Sequence, residues 1–323
     1  MRVQDFSTCF TPFVTFLTLA VTLSRRHAAN SMLAVDWGTT SFRAYRLDPA
    51  GGMVDTRSAP AGILSVEREN YAAVLEQQAG DWIAAGETPI VMSGMIGSRQ
   101  GWLEVPYAAC PAGLDEIAAG MRKVAWAHGD VWIAPGLTCR DDAGVPDVIR
   151  GEETQILGVL DQFGAGRHTI CLPGTHSKWV EVENGKIAHF STHMTGEAFA
   201  VFKAHSILGR MMTDGVTDRT AFADGVRRSA DAGGMLHHLF GVRSRGLFGE
   251  LPDSASASYL SGLLIGHEIQ AAGFGGQPVH LLCTAQLADV YGQALDVLGL
   301  KSSTLDANAV THGLFRLASR LKK

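Results

Sequence analysis

Short apolar runs alternate with polar turns along the chain, and two of these units share one design. Leu33, Ala34 and Val35 form an apolar run, residues 36–41 (Asp-Trp-Gly-Thr-Thr-Ser) turn the chain, and 42–47 leaves extended. This predicts a strand, a tight turn and a second strand. The pattern returns at 168–186, where an apolar run reaches Gly174-Thr175-His176-Ser177-Lys178 and continues as a strand carrying Trp179, Val180 and Val182. Asn184-Gly185 then makes a hairpin turn. Between and after these units the periodicity predicts a third strand at 53–56 and a helix over 66–85 that buries Tyr71, Val74, Leu75, Trp82 and Ile83. It further predicts a strand at 89–92, a glycine-broken loop at 93–99, a helix over 111–124 and a strand at 131–134. Residues 135–147 read as a Gly-, Pro- and Asp-rich connection, and 150–158 as a helix start with acids in its first turn. Strands at 187–191 and 279–283 and helices opening at Thr195 and covering 221–239, 256–274, 287–298 and 308–320 complete the prediction.

At 323 residues two domains are expected, and 46% hydrophobic against 18% charged residues describes a globular chain. The net charge of −5, with no basic cluster beyond pairs such as Arg227-Arg228, argues against nucleic acid as a partner. Five scattered cysteines without a Cys-x-x-Cys pair point to a reducing compartment and away from a disulfide framework or zinc site. Residues 1–31 differ from the rest. The apolar stretch 10–23 is too short to span a bilayer and lacks the charge order of a signal peptide. Met32 is therefore expected as the natural start, with 1–31 a disordered or loosely attached extension and a membrane anchor the alternative.

A polar turn of this kind offers amides, hydroxyls and an acid at one point. That suits a phosphate chain and its magnesium, with Asp36 holding the metal and Gly38 letting the backbone approach. The plain alternative is an ordinary hairpin. Two such hairpins over a hundred residues apart suggest two halves facing one nucleotide. No Gly-x-Gly-x-x-Gly follows a strand and opens a helix, which argues against a dinucleotide-binding oxidoreductase.

The motifs VDWGTTSFRAY (35–45), SGMIGSRQGW (93–102), RGEETQILG (150–158), LPGTHSKW (172–179) and THMTGE (192–197) closely resemble the 2-dehydro-3-deoxygalactonokinase family of bacterial sugar-acid kinases, over about residues 32–320. The resemblance implies an α/β, two-domain actin-like ATPase (ribonuclease H-like) fold with the nucleotide and substrate cleft between the domains. The expected boundaries are 32–150 for the first domain, 151–304 for the second including the crossing helix, and 305–323 for a helix returning to the first. It implies γ-phosphoryl transfer from ATP, with magnesium, to the 6-hydroxyl of 2-dehydro-3-deoxy-D-galactonate in the cytoplasm. Other expectations are no membrane partner and a homo-oligomer. The alternatives are a kinase for another sugar acid and a non-catalytic nucleotide-binding regulator of the same fold.

For that reaction positioning and charge neutralisation suffice. Asp36 is expected at the metal, with Gly38, Thr39, Thr40 and Arg43 on phosphate oxygens. Gly174, Thr175, His176, Ser177 and Lys178 would meet the phosphates from the other side; for Lys178 the alternative is pairing with an acid. Only one of Glu152 and Glu153 is expected to face the cleft, as catalytic or metal-linked acid, since neighbours on a helix point about 100° apart. Asp147 is a rival general base. Arg99 is the candidate clamp for the acceptor carboxylate, with Arg150 the alternative, and Ser98, Trp102 and Tyr107 the candidate pocket walls. On the adenine side Cys283-Thr284-Ala285 stands where the superfamily commonly has a glycine pair.

Overall fold

The structure is a computed structural model and describes residues 31–213, 217–273, 276–306 and 308–321. The expected extension therefore lies, except for Ser31, outside the described residues.

The first half begins with β1 (Met32–Trp37), β2 (Phe42–Leu47), β3 (Met53–Ala59), α1 (Tyr71–Ala84) and β4 (Ile90–Ser93). It continues with β5 (Ala108–Ala109), α2 (Leu114–Gly120), β6 (Arg122–Val124), β7 (Val131–Ile133), β8 (Leu137–Arg140) and β9 (Pro146–Ile149). Six strands make one sheet in the order β3-β2-β1-β4-β7-β6, in which β1, β4 and β7 run parallel. The inner strands are apolar on both faces because both faces are covered. Leu33, Val35 and Trp37 point to the α1 side with Tyr71, Leu75, Ala79 and Trp82, whereas Met32 and Ala34 point to the opposite core.

The short helix α3 (Glu152–Leu157) crosses to the second half. There β10 (Arg167–Leu172), β11 (Ser177–Glu183) and β12 (Lys186–His193) are followed by α4 (Thr195–His205), α5 (Arg219–Ser229), α6 (Gly234–Leu247) and α7 (Ser256–Ala272). Then come β13 (Val279–Leu281), α8 (Ala285–Val297), β14 (Ser302–Thr304) and α9 (Ala309–Arg320). The second sheet has the order β12-β11-β10-β13-β14. Three antiparallel strands followed by parallel neighbours thus occur twice, once per half, which is the duplicated arrangement of the actin-like ATPase fold. Phe222, Val226, Ile265, Ile269 and Leu295 cover one face of this sheet.

Several elements differ from the sequence expectation. The predicted 111–124 helix ends at Gly120, and its last residues pair with β7 as strand β6. The predicted 221–239 helix is two, α5 and α6, because Gly233 and Gly234 adopt φ of +127° and +73°. The predicted connection 135–147 contains β8 and the first half of β9, which form a small sheet with β5.

Helices α3 and α9 cross at backbone contact. A Cβ on Gly313 would overlap the Thr154 carbonyl oxygen, and one on Gly158 would overlap that of Ala309. Gly313→Ala is expected to push the helices apart and cost about 2–3 kcal/mol of stability, read by chemical denaturation. An unchanged midpoint would show that the crossing tolerates separation.

Candidate active site

The two hairpins face each other across a cleft of about 650 Å³. On the first sheet Asp36 lies directly opposite Arg43 in the β1–β2 register, so both side chains share a face. Arg43 Nη1 donates to Asp36 Oδ2 over 3.3 Å. The turn is anchored by its own backbone. The Gly38 N–H donates to the Ser41 carbonyl over 2.9 Å, and the Gly38 and Thr39 carbonyls accept from Ile63 and Leu64. The Gly38 amide is therefore spent inside the turn. Gly38 and Thr39 line the cleft, whereas Thr40 is exposed outside its lining.

Beneath Asp36 two glycines stack. Gly94, with φ +92°, leaves no room for a Cβ against the Trp37 carbonyl, and a Cβ on Gly151 would lie 3.4 Å from Gly94 Cα. This close approach brings Glu152, the first residue of α3, into the lining beside Asp36. Burial holds the Asp36 carboxyl above its ordinary range; Arg43 opposes the shift and the Glu152 charge adds to it. Glu152 accepts from the Arg150 N–H over 3.0 Å and pairs with Lys178 Nζ over 3.3 Å. Lys178 is only 6% exposed and also donates to the His176 carbonyl over 2.8 Å. Lys178 thus takes the acid-pairing alternative while still lining the cleft.

Glu153 turns the other way. It is fully buried, Oε2 accepts from the Gly151 N–H over 2.6 Å, and Oε1 has no partner among the described residues. Burial, with the Glu152 charge adding, pushes its carboxyl up to about 8. Of the two acids only Glu152 faces the cleft. Asp147 is also placed away from the cleft lining. Its carboxylate accepts from the Thr192 N–H (2.7 Å) and hydroxyl (2.8 Å), which straps β9 to β12.

On the second hairpin Gly174, Thr175 and His176 line the cleft, and His176 Nε2 lies 2.5 Å from Glu197 Oε2. Ser177 is placed differently from the expectation. As the first residue of β11 its side chain points inward, where its hydroxyl meets Tyr291 OH at 2.8 Å. Tyr291 donates to Glu268 Oε2, and Trp179 Nε1 donates to Glu268 Oε1. Ser177 therefore belongs to a buried network that supports the hairpin from behind. Of the residues expected on the adenine side, Cys283 and Thr284 line the cleft, and Ala285 opens α8 outside the lining.

Another wall of the cleft is built on Arg150. Its guanidinium stacks over the Tyr107 ring at 4.2 Å, and Nη2 donates to the Val105 carbonyl over 2.9 Å. Nε and Nη1 are buried without partners among the described residues. Both residues line the cleft. Arg99 is exposed and outside the lining, because the loop that carries it turns out to solvent after Ser98. Ser98 is buried outside the lining with its hydroxyl unpartnered among the described residues, and Trp102 packs edge-to-face on Trp126 in the α1-side core. The sequence reasoning missed Tyr45, Met95, Gln155 and Leu287, all of which line the cleft. Tyr45 was detectable, since it follows Arg43 by two residues on one strand face.

Among the described residues no group of three or more His, Cys, Asp or Glu side chains could hold a metal. Asp36 and Glu152 suit a hard cation that keeps most of its water and takes further oxygens from phosphates. The arrangement offers three cationic groups (Arg43, Arg150 and Lys178), two acids and two polar turns around a space of ligand size.

The family model for 2-keto-3-deoxy-galactonokinase matches residues 36–317. A Rhizobium meliloti (strain 1021) protein named probable 2-dehydro-3-deoxygalactonokinase is 37% identical over 289 residues, covering 87% of this chain and 94% of its own. The 2-dehydro-3-deoxygalactonokinase of Escherichia coli K12 is 36% identical over 238 residues, covering 73% and 78%. A Sinorhizobium meliloti crystal structure assigned the same enzyme name superposes with a TM-score of 0.83 at 36% identity, covering 90% of this chain and 98% of that one. The chain belongs to the 2-keto-3-deoxy-galactonokinase family.

Proposed function

We propose that the chain transfers the γ-phosphoryl group of ATP to the 6-hydroxyl of 2-dehydro-3-deoxy-D-galactonate in galactonate catabolism, in the cytoplasm. The observation that carries this reading is the facing of two phosphate-type hairpins across a cleft, with Asp36 and Glu152 between them, in a member of this kinase family. Arg43 and the Thr39 turn meet phosphate oxygens from one side; Gly174, Thr175 and His176 meet them from the other. Lys178 holds Glu152 in place through the 3.3 Å pair. Asp36 and Glu152 would hold magnesium, which when bound neutralises phosphate charge. Arg150 binds the acceptor carboxylate: its buried unpaired donors and the Tyr107 platform favour a planar anion, and leaving such donors unpaired is costly. Closure of the two halves over the acceptor excludes water and limits ATP hydrolysis.

The test is ADP release with MgATP and a panel of 2-dehydro-3-deoxy-D-galactonate, its gluconate epimer, D-galactonate and no acceptor. Turnover with the first alone is the expected result, and turnover with a different acid alone would move the specificity. Nucleotide binding without turnover on any acceptor would support the regulator. In the same assay Arg150→Lys is expected to raise KM for the sugar acid at least about tenfold while changing KM for ATP little. Equal effects on both would take the clamp away from Arg150.

A further inference from the structure

Residues 192–197 (Thr-His-Met-Thr-Gly-Glu) run from the end of β12 into α4 and hold two walls of the cleft, although none of them lines it. At one end Thr192 grips Asp147 on β9, the strand that leads into Arg150. At the other end the start of α4 folds back over the turn at 174–176. A Cβ on Gly196 would lie 2.5 Å from the Gly174 carbonyl oxygen, so only glycine fits there. The Glu197 N–H donates to the Thr175 carbonyl over 3.0 Å. Backbone contact thus fixes where the Glu197 side chain starts, and its Oε2 lies 2.5 Å from His176 Nε2.

An acid in the first turn of a helix ordinarily offsets the helix dipole. The partner of Glu197 gives it a second part. An ionised carboxylate only accepts, so His176 Nε2 carries a proton and Nδ1 is the nitrogen left for a ligand. His176 lines the cleft on the hairpin that faces Asp36. We propose that Glu197 is a positioning residue for phosphoryl transfer, which orients the His176 ring and holds it as an imidazolium whose Nδ1–H donates to a nucleotide phosphate. The proposal rests on the phosphoryl-transfer reading and deepens it. A neutral ring fixed in this way would turn a lone pair toward the phosphate oxygens, whereas the second proton makes that nitrogen a charged donor. A ring between two anions, a carboxylate at one nitrogen and a phosphate at the other, is favoured in its charged form. Both side chains are about half-exposed, at 46% and 44%, and a nucleotide over His176 would exclude water and strengthen the pair.

Other charged and titratable groups surround the hairpin. Lys178 follows on the same strand and is committed to the His176 carbonyl and to Glu152 of α3. His193 of β12 lies opposite Ser177, and Glu268 of α7 sits behind the hairpin, held by Trp179 and Tyr291. Asp36 and Arg43 stand across the cleft. Substitution at Glu197 leaves all of these in place.

The test is kcat/KM for ATP at saturating 2-dehydro-3-deoxy-D-galactonate, from pH 6 to pH 9, on the full chain, Glu197→Gln, His176→Asn and the double variant. Glutamine keeps an acceptor for Nε2 and removes the charge. The deficit of Glu197→Gln against the wild type is expected to grow with pH. It should be about twofold at pH 6, where solvent supplies the second proton, and about tenfold at pH 8. Activities are expressed per folded molecule, from circular dichroism at each pH, so that loss of fold does not imitate this slope. In the His176→Asn background the same substitution should change kcat/KM less than about twofold, because Glu197 acts through the ring. Equal deficits at every pH, or effects that multiply in the double variant, would overturn the proposal and leave Glu197 as a helix-start acid. No turnover by the wild type on this acceptor would instead overturn the reading on which the proposal rests, and the proposal with it.

Discussion

Asp36→Asn abolishes productive phosphoryl transfer, lowering kcat at least about 10²–10³-fold, while the protein melts no lower than before. The two halves of this expectation have one cause. Asp36 stands at the end of β1 with a carboxyl that burial has pushed upward, so keeping it ionised costs the fold stability. The sign follows from the direction of the shift. A raised carboxyl contributes stability below its unfolded value, and that contribution is lost as pH rises through the folded one. At neutral pH the isosteric amide therefore relieves the fold, although it also weakens the contact with Arg43. What the amide cannot supply is the negative charge that the proposed magnesium site would require of Asp36. Melting temperature and turnover measured on one preparation check both halves. Near-normal turnover would remove Asp36 from the chemistry, and a marked loss of stability would mean that the Arg43 contact outweighs burial.

Glu153→Gln flattens the dependence of stability on pH and makes the protein more stable at pH 8. In the unfolded chain the carboxyl titrates near its ordinary 4.5, and in the fold at about 8. The buried neutral form is thus favoured, its contribution is complete below about 4.5, and it is lost as pH rises through about 8. The window corresponds to roughly 4–5 kcal/mol. Glutamine keeps a carbonyl for the Gly151 N–H and carries no charge. Melting curves of both proteins from pH 5 to 9 should diverge as pH rises; parallel curves would mean that Glu153 does not titrate in this range.

The hairpins were legible because alternating apolar residues and a polar turn encode themselves locally, and Asp36 and Arg43 are neighbours in one hairpin. Long-range partners were not. Asp147 read as a free acid in a polar connection, yet its carboxylate is taken up by Thr192 on a strand of the other half. Ser177 read as a turn residue, but the strand begins there and its hydroxyl meets Tyr291, over a hundred residues away. Arg99 was the preferred clamp in sequence and Arg150 only the alternative, since only the third dimension shows that Arg150 stacks on Tyr107. Glu152 and Glu153 were separable in principle by helix geometry, but which of them faced inward depended on the contact of Gly151 with Gly94.

The crossing of α3 and α9 has a consequence for synthesis. Met32 and Ala34 of the first strand share a core with Val310, Leu314 and Leu317 of the helix that begins at residue 309. As the chain leaves the ribosome, that face of the first sheet has only partial cover, from residues such as Ile117, Met121, Ile156 and Leu157, until that helix has emerged, by which time the second sheet is already made. The second sheet can close its helix-covered face from its own neighbours, whereas the first depends on contacts of very long sequence separation, which form slowly. Premature termination before residue 309 would therefore leave the earliest-made strands, rather than the latest, exposed to aggregation and proteolysis.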